Sequence, residues 1–144
     1  MFTERAEIVV ARPPDEVFRF VADARNRPSW DDGVESEELI SPEPIAVGSR
    51  LRTRMRSMGR ELEYLWEIVE HDPPRRVRVE STSGPFPTTL VWEVSEHAEG
   101  SRAAFSITGT PGGAMRLMQP LITRNTAKNL ERAFPRLKEV LESR

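Results

Sequence analysis

The chain contains no cysteine, which excludes disulfides, thiolate nucleophiles and cysteine-ligated metal centres. Histidine is nearly as scarce: His71 and His97 stand alone, far from the spacing of a metal site, and both are expected in exposed turns. Neither sign of charge prevails, since 21 Lys plus Arg against 23 Asp plus Glu leave a formal −2. No overall field therefore recommends nucleic acid or an anionic surface as a partner. Apolar runs fall far short of the roughly 20 residues that cross a bilayer, so no stable membrane insertion is expected. The start MFTERAEIVV lacks the basic and long apolar regions of a signal peptide, and the expected location is cytoplasmic. Gly-rich phosphate loops and serine-nucleophile elbows are missing; GTPGG reads as a strand-to-helix connection. Without repeats, low-complexity tracts or linkers, residues 1–144 are expected to form a single domain with no metal and no cofactor.

What is present is periodicity. Residues 3–11 alternate with Ala6, Ile8 and Val10 on one side, a strand pattern. Pro13-Pro14-Asp15-Glu16 then carries the proline and acid signals of a helix start, followed by the apolar face Val17, Phe18, Val21. That helix should end near Asp23, and Asn26 is expected to cap a second, very short one that brings Trp30 inward before Asp31-Asp32-Gly33 stops it. Asp31 and Asp32 read as turn chemistry rather than as a carboxylate pair, because sequence neighbours seldom aim at one point.

From residue 48 onward each segment alternates with period 2 between turn residues. A symmetric turn at Met58-Gly59 sets Met55 against Leu62, Thr53 against Tyr64 and Leu51 against Trp66, with Arg56, Arg54 and Arg50 facing Glu61, Glu63 and Glu67 on the other surface. That is a solvated charge ladder. The connection HDPPRR is expected to set Ile68 against Val77, Trp66 against Val79 and Tyr64 against Ser81. GPFP is expected to place Ser81 beside Leu90, Val79 beside Trp92 and Val77 beside Val94, and HAEG sets Val94 against Ala103, Trp92 against Phe105 and Leu90 against Ile107. Three inner rows follow: Leu51, Trp66, Val79, Trp92, Phe105; then Thr53, Tyr64, Ser81, Leu90, Ile107; then Met55, Leu62, Ser83, Thr88, Gly109. Tyr64 is the only titratable group among them.

After Gly112-Gly113 a helical period brings Met115, Met118, Ile122, Thr126, Asn129, Ala133, Leu137 and Val140 onto one face. Pro120 and Pro135 are expected to kink or interrupt it. Bulk declines across the inner rows, and Ser81, Ser83, Thr88 and Gly109 predict unfilled volume beneath the helix, lined with adaptable methionines. Trp66, Trp92 and Phe105 should close one end as core, with Tyr64 bordering the pocket.

Taken together, PPDEVFRFVAD with RPSW, EIVEHDPPRRVRVESTSGPFP, TTLVWEVSE and NLERAFPRLKEVLES resemble the START-like, or SRPBCC, superfamily, which includes the birch-pollen-allergen-like proteins and polyketide cyclases. The resemblance implies an α+β helix-grip fold: a seven-stranded antiparallel sheet wrapped around a long C-terminal helix, with two short helices after the first strand. Pro135 departs from it. It also implies an internal apolar cavity for a lipid-like or aromatic, polyketide-like molecule, so the leading expectation is a binding or carrier protein with such a ligand as partner and no nucleic acid. Candidate contacts are Thr53, Tyr64, Ser81 and Asn129 as polar groups and Met55, Leu90, Ile107, Met118 and Ile122 as lining, with Trp30 and its neighbours to Gly33 near the mouth. The alternatives are a cofactor-free aromatase or cyclase that shapes its substrate and polarises a carbonyl through Tyr64, and a protein-interaction module. No catalytic residue other than Tyr64 is expected.

Overall fold

The computed structural model describes residues 1–144. Strand β1 (Phe2–Val10) leads into helix α1 (Pro14–Ala22) and a 3-10 turn (Ala24–Ser29), after which come β2 (Val34–Leu39), β3 (Arg50–Ser57), β4 (Arg60–Asp72), β5 (Arg76–Ser83), β6 (Thr88–His97) and β7 (Gly100–Gly109). A second 3-10 turn (Gly113–Met118) runs directly into α2 (Gln119–Glu142). All seven strands form one antiparallel sheet in the order β1-β7-β6-β5-β4-β3-β2, with α2 across its inner face. This is the helix-grip fold.

Local chemistry explains the boundaries. In α1 the ring of Pro14 opens the first turn, where no N–H partner is needed, and Asp15 and Glu16 lie against the positive end of the helix dipole. Val17, Phe18, Phe20 and Val21 are buried. The following 3-10 turn is capped by Asp23, whose Oδ1 accepts from Arg25 N at 3.1 Å. Asn26, expected as that cap, instead donates to the Phe20 carbonyl. Trp30 does turn inward, and it meets Trp92 and Phe134 edge-on at ring distances of 6.0 and 5.8 Å. With Phe105, 4.8 Å from Trp92, these rings form the aromatic centre of the core.

Two of the four hairpin registers match the sequence reading. Leu51, Thr53 and Met55 oppose Trp66, Tyr64 and Leu62, pinned by Met58 and Gly59 at φ of 53° and 77°, the left-handed pair of a tight hairpin turn. Leu90, Trp92 and Val94 oppose Ile107, Phe105 and Ala103. The middle two are shifted. Ile68 pairs with Val79 and Trp66 with Ser81, and bulges lie between Leu65 and Trp66 and between Ile68 and Glu70. Val77 pairs with Trp92 and Val79 with Leu90. For β4–β5 the cause is the turn: β4 continues to Asp72, and Arg75 N closes onto the Asp72 carbonyl at 2.8 Å, which centres the reversal on Pro73 and Pro74. A slip of two residues keeps apolar side chains on the same face and changes only their neighbours. His71 is accordingly a strand residue, half-buried against Phe18 at a ring distance of 5.9 Å, and His97 accepts from Glu99 N at the end of β6; neither is an exposed turn histidine.

The charge ladder has the expected register. Arg54 and Arg56 reach Glu63 and Glu61 at 3.5 and 3.0 Å, while Arg50 makes no ion pair with Glu67.

The prolines of α2 do not interrupt it. Pro120 sits in the first turn, where its missing N–H is harmless. Pro135 lies inside a continuous 24-residue helix, between the buried Phe134 and Leu137, whose packing holds that turn in place. The segment from Gly113 to Met118 is 3-10 rather than α-helical. No helix is long and apolar enough to cross a membrane.

Candidate functional site

Between the inner face of the sheet, the second 3-10 turn and the start of α2 lies a cavity of about 610 Å³. Its walls carry Met55 and Leu62 from the β3–β4 hairpin, Leu90 and Ile107 from the middle of the sheet, Met118 from the end of the second 3-10 turn and Ile122 from the covering helix. Tyr64 and Trp66 form its inner wall, stacked on each other at 4.7 Å. Of the residues expected to contact a ligand, Met55, Tyr64, Leu90, Ile107, Met118 and Ile122 therefore share one hollow.

The small residues do not make the hollow in the manner expected. Ser83 is exposed, and a Cβ on Gly109 would come within 2.6 Å of the Phe2 and Phe86 rings, so phenylalanines occupy the space beside that glycine. Ser81 accepts from Thr88 N at 2.9 Å. The remaining polar candidates lie off the cavity wall. Thr53 is buried between Trp66 Nε1, which donates to its hydroxyl at 2.8 Å, and Glu37, to which it donates at 2.6 Å. Asn129 donates to Asp31 Oδ1 at 3.2 Å. Trp30 belongs to the aromatic core at the opposite end from the main cavity, not to its mouth.

Tyr64 presents its hydroxyl beside Thr88, 3.2 Å away, and Thr88 is also 3.0 Å from the Phe86 carbonyl. Thr88 has one proton to give. Donation to Phe86 leaves the phenol to serve Thr88, whereas donation to Tyr64 frees the phenol proton for a molecule in the cavity. Burial raises the Tyr64 pKa, an effect that the Thr88 hydrogen bond partly offsets, so this group is a donor and not a base at neutral pH. Its ring lies over Gly84, where φ is 153° and an added Cβ would stand 2.5 Å from Cε1. Gly84→Ala is expected to lower stability by about 1–3 kcal/mol through strain and displacement of the ring, read by denaturant unfolding.

A second cluster escapes the period-2 reading of β3 to β7. Glu37, on the edge strand β2, turns inward because a bulge between Val34 and Ser36 reverses the alternation there. Its Oε1 accepts from Thr53, while Oε2 is shut off from solvent and has no protein partner. It faces a void of about 50 Å³ beside Trp66, shared with Arg27 and Trp30, room for one or two water molecules. Burial raises the Glu37 carboxyl to about 7, and Asp31 adds to the effect, while Arg27 and the Thr53 hydrogen bond counter it. Asp31, expected as a turn residue, is 2% exposed. It does close the turn, accepting from Gly33 N, but it also accepts from Asn129 and Arg27. Asp32 remains a surface residue paired with Arg132. The one signal in the sequence is the spacing of Glu37 and Leu39, which places them on the same face of β2.

A family model described as polyketide cyclase / dehydrase and lipid transport matches residues 1–142. No curated protein matches the chain in sequence. Among solved structures, TTHA0849 of Thermus thermophilus is 25% identical over 99% of this chain and 98% of its own, with a TM-score of 0.85. A START superfamily protein from Mycobacterium smegmatis is 13% identical over 99% and 97% of the two chains, at a TM-score of 0.76. The di-domain ARO/CYC BexL from the BE-7585A biosynthetic pathway is 19% identical, at a TM-score of 0.78, over 99% of this chain and 50% of BexL. At such identities the last two likenesses bear on the fold alone.

Proposed function

The chain belongs to the polyketide cyclase / dehydrase and lipid transport family, and from that premise we propose that it binds and carries an apolar small molecule, lipid-like or aromatic and polyketide-like. The observation that carries this reading is the cavity: about 610 Å³, within the roughly 300–1,000 Å³ of small-molecule sites. Its lining is mainly aliphatic and aromatic, with few polar groups to fix orientation. Ser57, Tyr64, Thr88 and Thr126 supply hydroxyls on that wall. Thr126 is committed to the Ile122 carbonyl at 2.9 Å and Thr88 lies between the Phe86 carbonyl and Tyr64, which leaves Tyr64, and Ser57 where it accepts from Asn125, as the groups placed to meet a carbonyl or hydroxyl on the ligand.

Titration with a fluorescent naphthylamine dye, followed by displacement with fatty acids and aromatic polyketides, tests the reading. The wild type is expected to bind the dye and release it to at least one of these classes. Ile122→Trp, which places a ring in the hollow, is expected to weaken binding about tenfold or more, equivalent to roughly 1.4 kcal/mol. Dye binding that is unaffected by Ile122→Trp, or a wild type indifferent to the whole panel, rejects the cavity as the site.

A second reading has one specific support, the Tyr64 hydroxyl on the cavity wall. In an aromatase or cyclase it would polarise a substrate carbonyl. Tyr64→Phe is then expected to abolish turnover of a polyketide substrate while dye binding persists; full turnover in the variant rejects that role.

A further inference from the structure

The rim of the cavity is unlike the rest of the surface. Apart from Met1, Ile40 and Val47, the large apolar side chains elsewhere are buried or half-buried, yet Leu117 is 87% exposed, Leu121 52%, Met118 43% and Met58 42%. Met58, Met118 and Leu121 all line the cavity, and Leu117 adjoins Met118 in the chain. These exposed groups therefore gather at the opening, between the tip of the β3–β4 hairpin and the junction of the second 3-10 turn with α2. Nothing in the fold covers them.

The charges around the opening are equally distinctive. Across the outer face of the sheet most arginines are matched by acids: Arg52, Arg54, Arg56, Arg76, Arg78 and Arg102 are ion-paired, with Arg5 and Arg50 as the exceptions. Arg60 on the cavity rim, and Arg116 and Arg124 beside it, take part in no ion pair. One acid, Glu4, shares the shallow groove with Arg116 and Arg124, and Glu61 next to Arg60 is already held by Arg56. The formal charge of −2 thus conceals a local cationic collar around protruding apolar side chains.

We propose that this rim is a docking surface for an anionic phospholipid bilayer. Leu117, Leu121 and the two methionines enter the headgroup boundary, while Arg60, Arg116 and Arg124 meet lipid phosphates. A collar of unmatched cations selects a negatively charged partner, and protruding aliphatic groups favour one with an apolar layer beneath its charge. The opening then faces the bilayer, and an apolar cargo exchanges without crossing water; that consequence rests on the binding reading above, whereas docking itself does not.

Co-sedimentation with vesicles tests it on ligand-free protein. The wild type is expected to pellet with phosphatidylcholine vesicles containing phosphatidylglycerol, and not with phosphatidylcholine alone. Raising salt from about 0.1 to 1 M, which shortens the screening length from roughly 10 to 3 Å, is expected to release it. Arg116→Glu with Arg124→Glu is expected to weaken binding about 25-fold or more, at roughly fivefold per lost cation. Leu117→Asp is expected to weaken it roughly tenfold with an unchanged melting temperature, since that side chain is almost fully exposed. Failure to pellet with the anionic vesicles at low salt, undiminished binding by Leu117→Asp, or equal binding to neutral vesicles overturns the proposal. So does sedimentation of the wild type as a dimer that Leu117→Asp dissociates, which makes the rim a contact between two copies. Ile122→Trp separates the two readings: it is expected to lose the dye and keep vesicle binding, and loss of both in a folded variant counts against the docking surface as independent of the cavity.

Discussion

Replacing Glu37 by glutamine is expected to stabilise the protein by about 3 kcal/mol near pH 8 and to change it little near pH 4. Glu37 is held at about 7 against an ordinary value of 4.5, so the folded state binds its proton more tightly than the unfolded chain does. The stability contributed by the protonated carboxyl is therefore fully present below about 4.5 and is lost as pH rises through about 7. Its main cause is removal of the carboxylate from water; Asp31 reinforces this, and Arg27 and Thr53 offset part of it. Glutamine keeps an acceptor for Thr53 at the Oε1 position and never ionises. Denaturant unfolding of both proteins across this pH range gives the result: the wild type should lose stability toward neutral pH while Glu37→Gln stays flat by comparison. Parallel curves would show that Glu37 is paired or hydrated well enough to ionise normally.

Trp92→Ala is expected to be the most damaging single core change, at about 3–5 kcal/mol, out of a total that for such domains is roughly 5–15 kcal/mol. Trp92 is 7% exposed and touches three further rings: Phe134 stacked at 5.6 Å, Phe105 at 4.8 Å and Trp30 at 6.0 Å. These come from α2, β7 and the segment before β2, so truncation opens a void where sheet and helix meet. Met118→Ala, by contrast, removes a side chain that already borders empty space, and its effect should stay within about 0.5 kcal/mol. Thermal or denaturant unfolding of the pair tests whether the interior is divided into a packed end and a hollow one. Similar losses in both would mean that Met118 is as tightly held as Trp92.

That division is partly legible in the sequence. Trp92, Phe105 and Tyr64 can be assigned to the inner face because each strand alternates and a one-residue slip would bury arginine and glutamate. The β3–β4 register is legible too, since Met58-Gly59 suits a tight turn. The β4–β5 and β5–β6 registers are not. A shift of two residues leaves every apolar side chain inside, so the pattern scores both arrangements equally, and in β4–β5 the proline turn with its two bulges makes the choice. Row by row, the expected register puts Val79 beside Trp66 where Ser81 stands, and it locates the empty volume beside Gly109, where Phe2 and Phe86 lie.

Glu37 shows the same limit at the site. A bulge on an edge strand inverts inside and outside over three residues, and nothing in VESEEL marks where the inversion begins. Asp31 reads as a turn residue and Arg27 carries no signal at all, because each is ordinary in its local sequence; only their shared neighbourhood with Asn129 and Glu37 makes them a cluster.

Period, turn residues and composition are properties of neighbours along the chain, and they suffice for the order of elements, the faces of β3 to β7 and the long covering helix, while whole motifs carry the resemblance to the family. Which residues meet across the hollow, that a carboxylate lies beside it, and that leucines and unmatched arginines surround its opening are matters of another kind. They follow from the twist of the sheet, the bulges and the seating of α2, and so depend on distances between segments that no local pattern encodes.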